Sequence, residues 1–191
     1  MKKILLLALV VLIGASFTQI DKKEKATDEG ATINWMTLEQ AVAAQKKKPK
    51  KIMMDAYTDW CGPCKMLDAN TFQNADVVKY VNANFYAVKF DAEGNESIDF
   101  KGKTYTNPNY DPAKDKQRNS AHQLATYFKV SAYPTILFLD EEANNLSPVK
   151  GYMTPQQLEV YLTLFATNDY KEVKTAADWT EYQKNFKNTF K

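Results

Sequence analysis

Trp60-Cys61-Gly62-Pro63-Cys64-Lys65 decides how this chain is read. It holds the only two cysteines of a 191-residue sequence, separated by Gly62 and Pro63 alone. A cross-link that staples a secreted domain joins distant parts of the chain, and this spacing closes no such loop, so the pair is present for its chemistry. Upstream, Lys51–Tyr57 has the length of a strand, and its apolar run is interrupted only by Asp55, as suits a central strand buried on both faces. Downstream, residues 61–71 read as a helix. Cys61 then stands at a helix N-terminus, where free N–H groups and the helix dipole favour the thiolate, the species that attacks disulfides. Cys64, one turn later, is placed to attack the mixed disulfide that results. Pro63 stiffens the turn without removing a needed hydrogen bond. The competing reading is a metal knuckle. Zinc takes four ligands, and two cysteines with the single His122 fall short, so no metal is expected.

Working outward, residues 33–36 suit a short first strand. Thr37-Leu38-Glu39-Gln40 is a capping box, in which hydroxyl and amide satisfy free N–H groups at a helix start. Leu38, Ala41, Val42 and Gln45 follow at helical spacing until Pro49. A helix over 75–82 is predicted, capped by Asn74, then a strand over 85–91. Residues 94–119 are rich in Asn, Asp, Lys, Gly and Pro and lack a helical period. Within them, residues 98–105 suit a small hairpin turning at Lys101-Gly102. Ser120-Ala121-His122-Gln123 reads as a second capping box opening a helix with Leu124 and Phe128 inward, and His122 as a surface or capping residue without a catalytic role. Residues 135–139 form a strand, 141–145 a turn and 149–150 a short strand. Thr154-Pro155-Gln156-Gln157 is a third capping box with proline at its favoured first position. Leu158, Tyr161, Leu162 and Phe165 share one face of the helix it opens. Trp179, Tyr182, Phe186 and Phe190 line a terminal helix, read as docking onto the domain, with a dimer or partner surface as the other reading. There are no internal repeats. This order of elements gives an α/β layer with a mixed central sheet.

Composition adds bounds. Apolar residues make up 45% and charged residues 25%, enough for one domain with a core. Lys2 and Lys3, the apolar run of residues 4–13 and the small Gly14, Ala15 and Ser16 have the order of a secretory signal peptide over residues 1–18. The run is short for a membrane span of roughly 20 residues, although an uncleaved anchor is the other reading. No cysteine follows it to carry a lipid. Loss of Lys2 and Lys3 takes the formal net charge from +2 to zero, which gives no electrostatic reason to expect nucleic acid. Residues 19–32 read as a flexible lead-in. The basic run Lys46, Lys47, Lys48, Lys50 and Lys51 reads as a solvated turn, with a membrane or acidic-partner patch as the minority reading.

These residues resemble the thioredoxin superfamily over about 33–168. The six-residue motif is identical to the common active site of that family. Asp55, six residues before Cys61, matches its buried acid; Lys89, on the next strand, matches the lysine paired with that acid; and Tyr133-Pro134-Thr135 matches its cis-proline segment. Residues 55–61 and Thr71-Phe72 are also similar to the C-terminal periplasmic domain of the membrane thiol reductase DsbD and to thioredoxin-like proteins secreted by some Gram-negative bacteria. The resemblance implies a thioredoxin fold with a mixed central sheet flanked by helices, an insertion at 94–119 before the cis-proline segment and a C-terminal helical extension over 169–191. It implies a catalytic set of Cys61, Cys64, Asp55 and Lys89, and a substrate surface of Trp60, Gly62, Pro63, Tyr133 and Pro134, with no cofactor. From its own sequence context, Asp55 inside an apolar strand is expected to have a raised pKa and to relay the Cys64 proton, or else to form a structural ion pair with Lys89.

The expected function is thiol–disulfide exchange on protein disulfides in the periplasm. Gly62-Pro63 resembles reducing members of the family, and a reductant in an oxidising compartment needs a membrane thiol donor. An oxidase or isomerase, or a binding module with incidental redox activity, are the alternatives, and insulin-reduction turnover separates an enzyme from a binder. Residues 94–119 lie outside all four chemical elements and are polar. They are expected to govern partner choice and to be replaceable by a short Gly/Ser link without loss of folding.

Overall fold

The computed structural model describes residues 31–191; the expected signal sequence (1–18) and residues 19–30 of the lead-in lie outside the described residues. The central strand forms where the apolar run predicts it. Strand β1 (Trp35–Met36) and helix α1 (Leu38–Lys47) lead into β2 (Lys51–Tyr57), whose first six residues are all buried. Helices α2 (Gly62–Asn70) and α3 (Ala75–Asn84) follow, then β3 (Phe85–Asp91), the hairpin β4 (Ile98–Phe100) and β5 (Lys103–Tyr105), helix α4 (Gln123–Tyr127), β6 (Thr135–Leu139), β7 (Asn145–Lys150), α5 (Pro155–Ala166) and α6 (Ala176–Asn185). The main sheet has the order β1-β3-β2-β6-β7; β3 is parallel to β1 and β2, while β6 runs antiparallel to β2 and β7.

Side chains alternate strictly across this sheet, as the two-residue period of a strand requires. Met53, Phe85, Ala87, Ile136 and Phe138 face one core, shared with Leu67 of α2, Val77 and Val81 of α3, and Leu158, Leu162 and Phe165 of α5. Ile52, Met54, Ala56, Val88, Phe90, Leu137 and Leu139 face the other, shared with Leu38 and Ala41 of α1 and Leu124 of α4. The first and third capping boxes are present as read, at Thr37 and Thr154. Asn74 caps α3 by accepting from the N–H groups of Asp76 and Val77.

Five readings need correction. The second capping box does not form: His122 is itself the N-cap, its Nδ1 accepting from Leu124 N at 3.0 Å, while Ser120 Oγ donates to Asn107 Oδ1 at 2.7 Å. His122 is also buried rather than on the surface, edge-on to Phe90, with Nε2 2.8 Å from the Glu96 carbonyl oxygen. Strand β7 starts four residues earlier than read, since Pro148 is tolerated on an edge strand. The terminal helix stops at Asn185, and Phe190 packs from beyond it against Tyr80. Lys51, the last member of the basic run, is buried and reaches Glu141 and Asn168 at 2.7 and 2.9 Å, so only Lys46 to Lys48 stay fully exposed.

A further correction concerns residues 94–119. Lys101 and Gly102 both have positive φ (50° and 77°), the requirement of a tight type I′ hairpin, and a glycine meets it without steric cost. The hairpin then places Ile98, Phe100 and Tyr105 in the second core, with Phe100 against Phe128 at 5.5 Å between ring centroids. Asn107 is buried and ties the two ends of the segment together: its Nδ2 faces the carbonyl oxygens of Glu93, Gly94 and Ser120 at 2.8–3.2 Å. The segment is polar in composition, yet the three apolar residues Ile98, Phe100 and Tyr105 of its hairpin fall on one side. Replacing it with a Gly/Ser link is therefore expected to unfold the domain. Phe100→Ala alone should lower the unfolding free energy by about 3–5 kcal/mol, read by urea titration, whereas Lys103→Ala on the exposed side should change it by less than about 0.5 kcal/mol. Equal effects would show that the hairpin does not share the core.

Candidate active site

Strand β2 ends at Tyr57, and the chain turns through Thr58, Asp59 and Trp60 into α2. Cys61 is the N-cap of that helix and Cys64 lies in its first turn. The two are joined by a disulfide, with Cα atoms 5.3 Å apart, and Cys61 Sγ accepts from Cys64 N at 3.1 Å. The helix start thus supplies a main-chain donor to the first sulfur, the arrangement that favours a thiolate there. Both cysteines are almost wholly buried, at 3% and 2% exposure, so exposed area does not tell them apart. They differ in direction instead: Cys61 borders a surface groove with Trp60, Gly62, Pro63, Glu93, Arg118 and the 130–133 segment, and Cys64 does not. A Cβ at Gly62 would meet nothing within 4 Å, so the groove is open above it.

Beneath the pair lies an ionic cluster fixed by sheet register. Asp55 and Lys89 are direct partners across the parallel β2–β3 ladder, and both project to the face covered by α2. Lys89 Nζ donates to Asp55 Oδ2 at 2.7 Å and also pairs with Asp68 of α2. The ammonium sits 4.8 Å from the Trp35 ring centroid, 5.0 Å from Tyr57 and 5.3 Å from Phe72, three aromatic faces that favour a cation. Asp55 is 1% exposed, and its Oδ1 has no hydrogen-bond partner among the described residues. Burial pushes its carboxyl up to about 6, against the opposing pull of Lys89. Burial also raises the Tyr57 phenol, to about 12.

The groove wall opposite Cys61 comes from the segment before β6. Tyr133-Pro134 is a cis peptide bond, as the resemblance implies. The Pro134 carbonyl oxygen accepts from Gly151 N at 2.8 Å, while no turn or loop hydrogen bond among the described residues uses the main chain of Tyr133. Trp60 meets Tyr133 edge-on, 6.0 Å between ring centroids. Of the sequence-predicted site residues, Trp60, Cys61, Gly62, Pro63 and Tyr133 line the groove, Pro134 follows Tyr133, Cys64 is joined to Cys61 in the first turn of α2, and Asp55 and Lys89 lie beneath that helix.

Three residues of this region were not anticipated. Asp68 shares Lys89 with Asp55. Glu93, buried just past the end of β3, accepts from Trp60 Nε1 at 2.7 Å and from Asn119 N at 2.8 Å. Arg118 stacks over Trp60 with its guanidinium carbon 4.8 Å from the ring centroid. No spacing connects these residues to the cysteines. The one usable signal was that ligand sites gather at the carboxyl ends of sheet strands, where Glu93 lies.

Because the Asp55 carboxyl binds its proton more tightly in the fold than in the unfolded chain, the native state holds the extra proton between pH 3.8 and about 6. Stability is thus lost as pH rises through that window, and the full cost of the buried charge is present above it. Asp55→Asn is expected to raise the unfolding free energy at pH 7.5 by on the order of 3 kcal/mol, with the gain vanishing near pH 3.8. Urea titrations of both proteins at the two pH values check this; a pH-independent difference would mean that Asp55 is not protonated on folding.

With this geometry in place, comparison with known proteins is direct. The family model described as a thioredoxin-like domain matches residues 38–166. The thiol:disulfide interchange protein DsbD of Haemophilus ducreyi is 29% identical over 127 residues, covering 65% of this chain and 18% of that protein. DsbD of Yersinia pestis is 31% identical over 126 residues, covering 64% and 17%. This chain thus spans less than a fifth of the length of these relatives. A thioredoxin-fold protein from Helicobacter pylori superposes with a TM-score of 0.57 at 19% identity, over 86% of this chain and 94% of that one, a likeness of fold. The matched region holds the central strand, the paired cysteines and the cis-proline segment together, and the chain belongs to the thioredoxin-like domain family.

Proposed function

We propose that this protein is a thiol–disulfide oxidoreductase that reduces, or relays electrons to, protein disulfides through Cys61 and Cys64. The observation that carries the reading is the Cys61–Cys64 pair at the start of α2, bordering a groove whose far wall is Tyr133. In the reducing direction the Cys61 thiolate attacks one sulfur of the substrate disulfide. A Cys61–substrate disulfide forms and the other substrate sulfur leaves as a thiolate. Cys64, deprotonated, then attacks Cys61 Sγ, which expels the second substrate sulfur and closes the Cys61–Cys64 disulfide. Two electrons pass from protein to substrate, and a dithiol donor must restore the reduced pair.

The remaining residues have roles that follow from position. Asp55, with a carboxyl near 6, is suited to take the Cys64 proton at neutral pH, and Lys89 holds that carboxyl in place. The unused main chain of Tyr133 suits an extended substrate segment beside Cys61, with Trp60 as an apolar flank. The signal-like N-terminus and the likeness to DsbD favour a periplasmic site and a membrane thiol as the donor. No described helix is long and apolar enough to cross a membrane.

Insulin-reduction turnover tests the reading, and Cys61→Ser is expected to bring it to background. Cys64→Ser should accumulate mixed disulfides with protein substrates, seen as adducts that dithiothreitol releases; turnover that survives Cys61→Ser would end the proposal. Asp55→Asn should slow resolution of the mixed disulfide by about tenfold or more at pH 7 while leaving the first attack less affected. Stopped-flow traces with unchanged resolution between about pH 6 and 9 would leave Asp55 a structural role only.

A further inference from the structure

We propose that Arg118 is a specificity residue that binds an acidic side chain flanking the target cysteine of the substrate. This rests on the oxidoreductase reading above and extends it to a substrate class.

Arg118 belongs to the segment whose hairpin enters the second core, but its side chain borders the groove beside Cys61. Its guanidinium carbon lies over the Trp60 ring, 4.8 Å from the centroid, and Trp60 is itself held on two sides, by Glu93 through its indole N–H and by the edge of Tyr133. The main chain around Arg118 is equally fastened. Lys116 pairs with Asp59, Asn119 N donates to Glu93, and the Asn119 side chain accepts from Asp111 N and donates to the Asp111 carbonyl oxygen. An arginine is thus pre-positioned within reach of whatever occupies the groove, which lowers the ordering cost of using it.

Its charge is also uncommitted. Arg118 takes part in none of the ion pairs among the described residues, while its neighbours Lys114 and Lys116 both have carboxylate partners. Among the described residues, the only other charged one lining the groove is Glu93, whose Oε2 is occupied by Trp60 Nε1 and Asn119 N. A planar guanidinium with free N–H groups, stacked on an aromatic face beside an attacking sulfur, matches a carboxylate in a two-point contact that an ammonium cannot make. A lysine or arginine at the same place in a substrate would meet it as a like charge.

Two synthetic peptides test this, each with one intramolecular cystine whose cysteines are flanked by Glu in one and by Lys in the other. The full protein is expected to reduce the acidic peptide with a kcat/KM about fivefold higher, the difference residing in KM and shrinking as salt is raised. Arg118→Glu should invert the preference, and Arg118→Lys should keep its direction with a smaller ratio. No preference in the unsubstituted protein, or a ratio unchanged by Arg118→Glu, overturns the proposal. An equal loss on both peptides overturns it too, since Arg118 would then serve only to pack Trp60. Reduction of neutral hydroxyethyl disulfide by the unsubstituted protein separates the two levels: its absence sinks the oxidoreductase reading, whereas its presence without a charge preference sinks only the role of Arg118.

Discussion

A carboxylate in a strand with no solvent face needs a cation within reach, and in this molecule that need is met at Asp55. Strand β2 is covered on both sides by helices, so Asp55 can find a partner only on a neighbouring strand. Parallel pairing with β3 puts Lys89 directly opposite. A slip of one residue would turn either side chain to the other core, so one ion pair and the apolar alternation demand the same register. The aromatic faces of Trp35, Tyr57 and Phe72 then enclose the Lys89 ammonium, which ties β1, the end of β2 and the end of α2 to the same point.

The redox pair stands above this cluster because β2 runs straight into α2. The strand delivers Cys61 to the helix N-cap, and one helical turn returns Cys64 to it. A buried acid with one oxygen unpartnered among the described residues is costly for stability. The groove above has a different origin. Its far wall is the Tyr133–Pro134 segment entering β6, and its flank is closed by the far end of the 94–119 segment through Glu93, Asn119 and Arg118. The same segment that fills the second core with Phe100 therefore also lines the groove beside Cys61 through Arg118.

Much of this was legible in the sequence, for local reasons. The apolar run of β2, the capping residues Thr37, Asn74 and Thr154, and the Lys101-Gly102 turn act over seven or fewer residues, and each formed as read. Reading failed where a polar side chain had a distant partner. Ser120 and Gln123 follow a capping-box pattern, but Asn107 takes the serine and Thr106 N donates to the glutamine amide oxygen. Lys51 looked like the end of a solvated run because its partners, Glu141 and Asn168, lie far along the chain. Residues 94–119 looked like loop because their composition is polar, and composition does not reveal that Ile98, Phe100 and Tyr105 share one side of a hairpin.

By itself the sequence determined the identity and spacing of the reactive pair, the strand that precedes it and the helix that presents it, because periodicity, capping and the two-residue gap act on neighbours. The resemblance to a family added the partnership of Asp55 with Lys89 and the cis form of Pro134. Only the tertiary structure decided that Glu93 and Arg118 face Trp60, that Asp68 shares Lys89, and that an apparent loop is half core. Those contacts join residues 21 to 58 positions apart, and they come together only after the sheet register and the hairpin have formed. No local rule encodes such a meeting, because its free energy depends on side chains whose positions are set by the packing of the whole domain.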